Sequence, residues 1–358
     1  MAEAIFSNLG AFLMAIIMTF IPSFNISLPG LKAKEEGCNL NLAMFSDVHI
    51  EKNELFRQAF LKTALKKGEK SDDVDAFVMA GDITNYADEA SLAKYYELIT
   101  DCTDKPVVTA AGNHDIGHVG DRDKTDITKY EALANVIKYQ TAYKEAKSLK
   151  NYKTEGSNYY SCEINGYKFI VMGDEVDGFT VDNDGKETAQ INGHWDGITM
   201  THKQIDFIDR ELAEGTKENK PCFIVSHWPI CGTDSEDTVW PGSGIDQNEY
   251  DLVSVMEKYK NVVYISGHMH SGVKSKLVEK AFGITSAEKK AFTQGGNEVI
   301  YFSLPTLGII NVFGLLHSGT GATLEVYDDH IIWRPINYIT GNWYENAEYT
   351  FSLSAAKK

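Results

Sequence analysis

Five short fragments of this 358-residue chain carry side chains able to bind metal ions or move protons. They are Asp47-Val48-His49, Gly81-Asp82, Gly112-Asn113-His114-Asp115, Ser226-His227 and Gly267-His268-Met269-His270. A divalent cation needs deprotonated oxygen or imidazole nitrogen as ligand, and two cations close together need a carboxylate to bridge them. Asp47 and His49 are two residues apart, so on a strand they would share a face and grip one ion. Asp82 follows a glycine, which frees the backbone to approach the ions. Asn113 offers a neutral carbonyl oxygen. His227, His268 and His270 offer nitrogen, and the last two would again share a face while reaching different ions.

Taken singly, each fragment is weak. Asp-x-His and Gly-Asp recur by chance, and Gly-Asn-His-Asp also suits a type I turn with Asn and Asp as turn formers. His227 alone fits a strand-end histidine bonded to backbone. The weight comes from joint occurrence, because each fragment ends or follows an apolar, β-branched run. Each would therefore sit just past the carboxyl end of a strand, where open α/β sheets build their sites.

The elements that must position them alternate. Asn39–Ser46 predicts a first strand, and Leu55–Lys67 has helical spacing of Leu55, Phe56, Ala59, Phe60 and Ala64. Strand Ala76–Ala80 runs straight into Gly81-Asp82; a helix over Glu89–Thr100 and a strand over Lys105–Ala111 follow. Ile127–Leu149 is a longer helix. Asn165-Gly166 between Asn158–Ile164 and Tyr167–Met172 is the strongest hairpin signal in the chain. Gly173–Met200 predicts a long loop, and Thr201 caps a helix over Thr201–Ala213. Strand Cys222–Val225 leads to His227; helix Asn248–Lys260 and strand Val262–Ser266 lead to His268 and His270. Three more strands are expected at Glu298–Leu304, Gly321–Tyr327 and His330–Asn337. The expected fold class is α/β, two facing mixed β-sheets flanked by helices. No internal repeat at a period of 20–50 residues is visible.

A hydrophobic fraction of 43% supports a sizeable core, and a formal charge of −17 disfavours a polyanionic nucleic-acid partner. The five cysteines are scattered with no C-x-x-C pair, which speaks against a zinc ribbon or a disulfide framework. The amino terminus is the anomaly. Residues 9–24 (LGAFLMAIIMTFIPSF) carry no charge, yet as a helix of about 24 Å they fall short of the roughly 30 Å hydrocarbon core. No positive n-region or A-x-A site marks a secretory signal. Three readings of segment 1–34 stay open: a membrane anchor, an atypical cleaved signal, or an apolar helix packed on the protein. Membrane contact would run through residues 9–28. The expected location is membrane-associated or exported, with a cytoplasmic one retained, since Lys32 and Lys34 follow the run. Residues 31–39 read as a polar linker.

In that order and spacing the five fragments resemble the calcineurin-like metallophosphoesterase family, whose pattern is D-x-H, G-D, G-N-H-[D/E], H and G-H-x-H. The match spans about residues 40–275, within a phosphoesterase domain expected over 40–340 with carboxyl-terminal strands from about 298. The resemblance implies a dinuclear centre of Mn, Fe or Zn. One ion would be held by Asp47, His49, Asp82 and His270, the other by Asp82, Asn113, His227 and His268, with Asp82 bridging. It also implies that His114 faces the phosphate as general acid or electrostatic partner, with Asp115 holding its other ring nitrogen. Two cations about 3.5–4 Å apart lower the pKa of a shared water, and the hydroxide attacks phosphorus in line. A proton from His114 to a poor leaving group would add about 10²–10⁴-fold.

Purple acid phosphatases carry Asp-x-Gly first and an iron-binding Tyr after Gly-Asp-x-x; here His49 and Asn85 stand there, with Tyr86 one residue late. The motif pattern is closer to class III cyclic-nucleotide phosphodiesterases, and acid-sphingomyelinase-like enzymes and family nucleases share it. The expected activity is hydrolysis of a small phosphodiester or phosphomonoester. The alternatives are a non-catalytic scaffold of the same fold and a nuclease, which the acidic charge disfavours. Oligomeric state is not set by these motifs. His194 and Trp195 in the long loop, Trp228 beside His227, and His317 in Ile309–Gly321 are weaker candidates for substrate contact. The Lys-rich stretch 274–290 predicts a solvated face.

Overall fold

The computed structural model describes residues 31–116, 129–147, 149–175, 180–181, 187–188, 200–233, 244–245, 248–270, 273, 286–308 and 319–354. The first half runs β1 (Leu40–Phe45), α1 (Leu55–Glu69), β2 (Ala76–Ala80), α2 (Glu89–Cys102), β3 (Val107–Ala110) and α3 (Lys129–Lys147). Then come β4 (Lys150–Thr154), β5 (Tyr160–Ile164), β6 (Tyr167–Val171) and the short β7 (Thr180–Val181) and β8 (Glu187–Thr188). The second half runs α4 (His202–Gly215), β9 (Cys222–Val225), α5 (Glu249–Met256), β10 (Val262–Ser266) and β11 (Ala287–Lys290). It closes with β12 (Val299–Ser303), β13 (Thr320–Val326), β14 (His330–Asn337) and β15 (Tyr349–Ser352).

One sheet has the order β15-β14-β13-β1-β2-β3, the other β11-β12-β10-β9-β6-β5-β4. Strands β1, β2 and β3 are parallel, as are β6, β9, β10 and β12. Antiparallel partners extend both sheets outward. The α/β fold with two mixed sheets and helices is therefore the one expected. Period-two alternation divides the apolar residues between layers. Leu40, Leu42 and Met44 of β1 pack with Phe223, Val225, Val263 and Ile265 of the facing sheet. Ala43 and Phe45 instead pack with Phe60, Leu61 and Ala64 of α1 and Leu92 of α2. Phe302 and Trp333 stack across the layer at 4.6 Å, worth about 0.5–1.5 kcal/mol beyond burial.

Local chemistry sets the element ends. The Glu54 carboxylate accepts from the Phe56 and Arg57 amides to cap α1, and Asp88 accepts from Ser91 to cap α2. Asn165 and Gly166, at φ 50 and 77, turn the hairpin as its dipeptide requires. Thr201 precedes α4 in extended conformation but does not cap it. Its amide and hydroxyl both donate to the Glu175 carboxylate instead.

Four segments differ from expectation. β4, β11 and β15 join the sheets; β4 and β11 do not alternate apolar with polar in the usual way, and β15 (Tyr-Thr-Phe-Ser) does so only over four residues. Residues 287–290 are a half-buried edge strand, while 274–285 lie outside the described residues. Residues 31–34 are pinned instead of forming a free linker: Leu31 is buried, Ala33 N–H donates to Asp73, and Lys34 N–H donates to Glu325. The apolar run 9–28 lies outside the described residues, among which no helix is long and apolar enough to cross a membrane. None of the five cysteines is in a disulfide.

Candidate metal centre

The parallel strands β1, β2, β3, β9 and β10 deliver the five fragments to one rim. The chain does not leave β1 as a straight strand. Asp47 and His49 stand at φ 53 and 51, Asp82 at 48, His268 at 72 and His270 at 48. Left-handed backbone at a non-glycine residue is disfavoured by on the order of 1–3 kcal/mol and persists only where the surroundings impose it. Strand alternation is thus not what brings Asp47 to His49, or His268 to His270; twisted backbone past the strand ends is. Hydrogen bonds hold the twist: Asp47 N–H donates to Gly81 O (3.1 Å) and His49 N–H to Asp82 O (2.9 Å). The Thr306 hydroxyl and the Gly308 N–H both donate to Asp47 O, each at 3.1 Å. Gly81, at φ 83, lies against the His227 ring, and Gly112 lies against the Asp82 carboxylate; a Cβ at either would clash.

Two clusters result, sharing Asp82. Ligand atoms of Asp47, His49, Asp82 and His270 lie within 4.8 Å of one another, as do those of Asp82, His227 and His268. His49 Nε2 is 3.2 Å from His270 Nε2, and His227 Nε2 is 3.1 Å from His268 Nδ1. Asn113 Oδ1 reaches to 3.1 Å from His227 Nε2. His227 donates Nδ1–H to Ala80 O at 2.8 Å, which points its Nε2 at the cluster.

The carboxylates face the same space. Asp82 Oδ2 is 3.2 Å from His227 Nε2, 3.5 Å from His49 Nε2 and 4.0 Å from His114 Nε2. Asp47 Oδ1 is 3.1 Å from His270 Nε2. Both oxygens are buried, and neither accepts a hydrogen bond of good geometry. Two buried carboxylate oxygens without a well-aligned donor, in a nest of nitrogens, suit a pair of cations, because a buried acceptor without a partner is destabilising.

Electrostatics agree. Burial works against charge on Asp82 and Asp47, but neighbouring imidazoles outweigh it: His227 and His114 hold Asp82 well below the usual range, and His270 and His227 hold Asp47 below it. Burial pushes His49 well down and His268 to about 3. Burial would also lower His227, yet the Asp82 carboxylate carries it to about 9.

His114 sits beside the clusters, a quarter exposed, with its backbone N–H donating to Asp82 Oδ1 at 3.0 Å. Asp115 does not hold its ring, contrary to expectation. The His114 Nδ1–H donates instead to the backbone carbonyl of Asn85, at 2.8 Å. Fully buried Asp115 accepts from the amides of Ile83, Thr84 and Gly112 and from the Thr84 hydroxyl, so it ties the β2 and β3 loops together. Burial, with Asp82 nearby, raises it to about 6. The Asn85 carbonyl carried no sequence signal, since any residue type supplies one. Trp228 is fully buried, edge-on to His227 at 5.3 Å, and packs instead of walling an open cleft. His194, Trp195 and His317 lie outside the described residues.

A family model for calcineurin-like phosphoesterases matches residues 40–272, a span containing every ligand candidate. The chain belongs to that family. No curated protein sequence matches this calcineurin-like phosphoesterase. In fold it resembles a dimetal phosphatase from Danio rerio, with TM-score 0.55 at 12% identity, covering 88% of this chain and 100% of that one. It also resembles a purple acid phosphatase from yellow lupin (Lupinus luteus) seeds, with TM-score 0.51 at 14% identity, covering 87% of this chain and 53% of that one. Both are likenesses of fold.

Proposed function

We propose that this calcineurin-like phosphoesterase is a hydrolase of small phosphodiesters or phosphomonoesters that works with two bound cations. The observation that carries the reading is the pair of orphaned, buried oxygens, Asp47 Oδ1 and Asp82 Oδ2, inside a shell of four imidazoles. Asp47, His49, Asp82 and His270 would hold one ion, and Asp82, Asn113, His227 and His268 the other. Manganese, iron and zinc all accept this oxygen and nitrogen set. When bound, such a pair supplies Lewis acidity that activates water and offsets charge on the phosphoryl oxygens.

The chain's own groups do the rest. Asp82 is the shared acceptor, its Oδ2 lying between His49 and His227. Anchored through Nδ1–H, His114 points Nε2 at the site, and in its doubly protonated form that nitrogen would pass a proton to a departing oxygen. Within the family, the Asp47-x-His49 and Gly112-Asn113-His114 pattern favours a role like that of class III phosphodiesterases. The charge of −17 repels a polyanionic substrate, which favours a small ester over a nucleic acid.

The test is metal content together with turnover of a panel of aryl phosphomonoesters and phosphodiesters in added Mn²⁺ or Zn²⁺. Two ions per chain with turnover is expected. Two ions bound with no ester cleaved would favour a metal-holding scaffold.

A further inference from the structure

We propose that Glu51 is a positioning residue for His114, acting through Asn85; this rests on the hydrolase reading above. The Asn85 carbonyl that takes the His114 Nδ1–H lies just past Ile83 and Thr84, which Asp115 and the Ile50 N–H tie to the rim. Asn85 N–H donates to Ile50 O at a long 3.3 Å, and the Asn85 side-chain amide donates to Glu51 Oε1 at 2.7 Å. The same Oε1 accepts from Arg57 Nη1 at 3.1 Å, and that Nη1 also donates to His49 O at 2.9 Å. One carboxylate oxygen therefore joins the loop after β1, which carries Asp47 and His49, to the loop after β2, which carries Asp82 and aims His114.

Charge makes this joint stronger than a neutral one. A carboxylate accepting from an amide and a guanidinium holds both at about twice the strength of neutral partners. If the Asn85 peptide swings, its carbonyl leaves Nδ1, and the ring is free to turn or to move its proton between nitrogens. With Nδ1–H held on the carbonyl, the ring takes up and gives back its second proton at Nε2, the nitrogen that faces the site; a ring released from the carbonyl can present the wrong nitrogen. Glu51 itself touches neither the clusters nor the core: its side chain is 37% exposed and that of Arg57 is 22% exposed. Its removal leaves Arg57 bonded to the His49 carbonyl, so the ligand loop keeps its pin.

The experiment uses the full chain as wild type, Glu51→Ala, Glu51→Gln, His114→Ala and the Glu51→Ala/His114→Ala double variant. Metal content is read first and is expected to be equal in all five. For aryl phosphodiesters with poor leaving groups, Glu51→Ala should lower kcat about 10–100-fold, the usual effect of an outer partner, with KM little changed. The loss should shrink as the leaving group improves. Glu51→Gln keeps an acceptor oxygen and should recover most of the rate. In the His114→Ala background, adding Glu51→Ala should cost nothing further, because both act on one proton. A second readout needs no turnover: ¹⁵N–¹H imidazole spectra should show His114 as the Nδ1–H tautomer in wild type and Glu51→Gln, and mixed in Glu51→Ala. Equal losses in both backgrounds, a loss of metal, or an unchanged tautomer would overturn the proposal. If wild type cleaves no ester the hydrolase reading fails, and the spectra alone still decide the positioning.

Discussion

The two subsites are built by different means although they share Asp82. In the first, Asp47, His49, Asp82 and His270 all stand on left-handed backbone, so ligand direction is set by twisted loops. In the second, Asp82 and His268 (φ 72) are left-handed too, but fully buried His227 follows strand β9 and is aimed through its ring, by the bond from Nδ1–H to Ala80 O. The first relies wholly on main-chain strain held by neighbours, and the second adds a side chain locked by a carbonyl. Damage to backbone support should therefore fall on the first subsite, and damage to ring chemistry on the second.

The largest expected effect erases the distinction. Asp82→Asn removes the one charge that both subsites face, so metal content should fall from two ions per chain toward none. Turnover should drop by more than the roughly 10–100-fold typical of outer-partner losses. Elemental analysis and an aryl phosphodiester assay check both. One ion retained at full occupancy would mean that Asp82 serves a single subsite.

His227→Ala and His270→Ala come next and separate the two. Each should leave one ion of two, the survivor lying in the other subsite. Anomalous scattering at the metal edge would locate it. Loss of both ions in either variant would mean that the subsites fill as a unit.

What the sequence made legible follows the same division. The motif residues, the strand ends that carry them and the α/β layers could be read because apolar runs and ligand types are side-chain properties. The route by which Asp47 meets His49 could not be, since two-residue spacing suggests a strand face and the chain in fact turns left-handed there. The resemblance implies Asp115 on the His114 ring, but its carboxylate is taken by three amides and a hydroxyl. The true partner, the Asn85 carbonyl, is backbone and carries no type signal. Edge strand β11, Ala-Glu-Lys-Lys, is charged because edges are protected that way, which hides it from any apolar pattern. Thr306 and Gly308, which pin Asp47, come from a segment far along the chain and outside the matched span 40–272.

Acidity offers a milder test of the second subsite. Burial would depress His227, but the Asp82 carboxylate, with Asp47 behind it, raises it to about 9 in the metal-free protein. At neutral pH that ring carries a proton which an arriving cation must expel. Affinity should thus fall as pH drops below about 9, by about tenfold per unit, and level off above it. Calorimetry at pH 7 in buffers of differing ionisation enthalpy should register release of about one proton from this ring. No buffer dependence would show that His227 is already neutral.

The smallest effect is the most discriminating. Thr306→Val keeps shape and burial but deletes the hydroxyl that donates to Asp47 O, leaving the Gly308 N–H on that carbonyl. One such bond is worth about 0.5–1.5 kcal/mol, so first-subsite affinity should weaken about 2–10-fold. The second subsite should hardly respond, because its ring anchor at Ala80 is untouched. A direct link does join the two: His268 N–H donates to Asp47 Oδ2 at 3.2 Å. If the second subsite weakens by the same factor, backbone strain at Asp47 passes through that amide, and the two are one mechanical unit. If it does not, each ion is supported by its own loop.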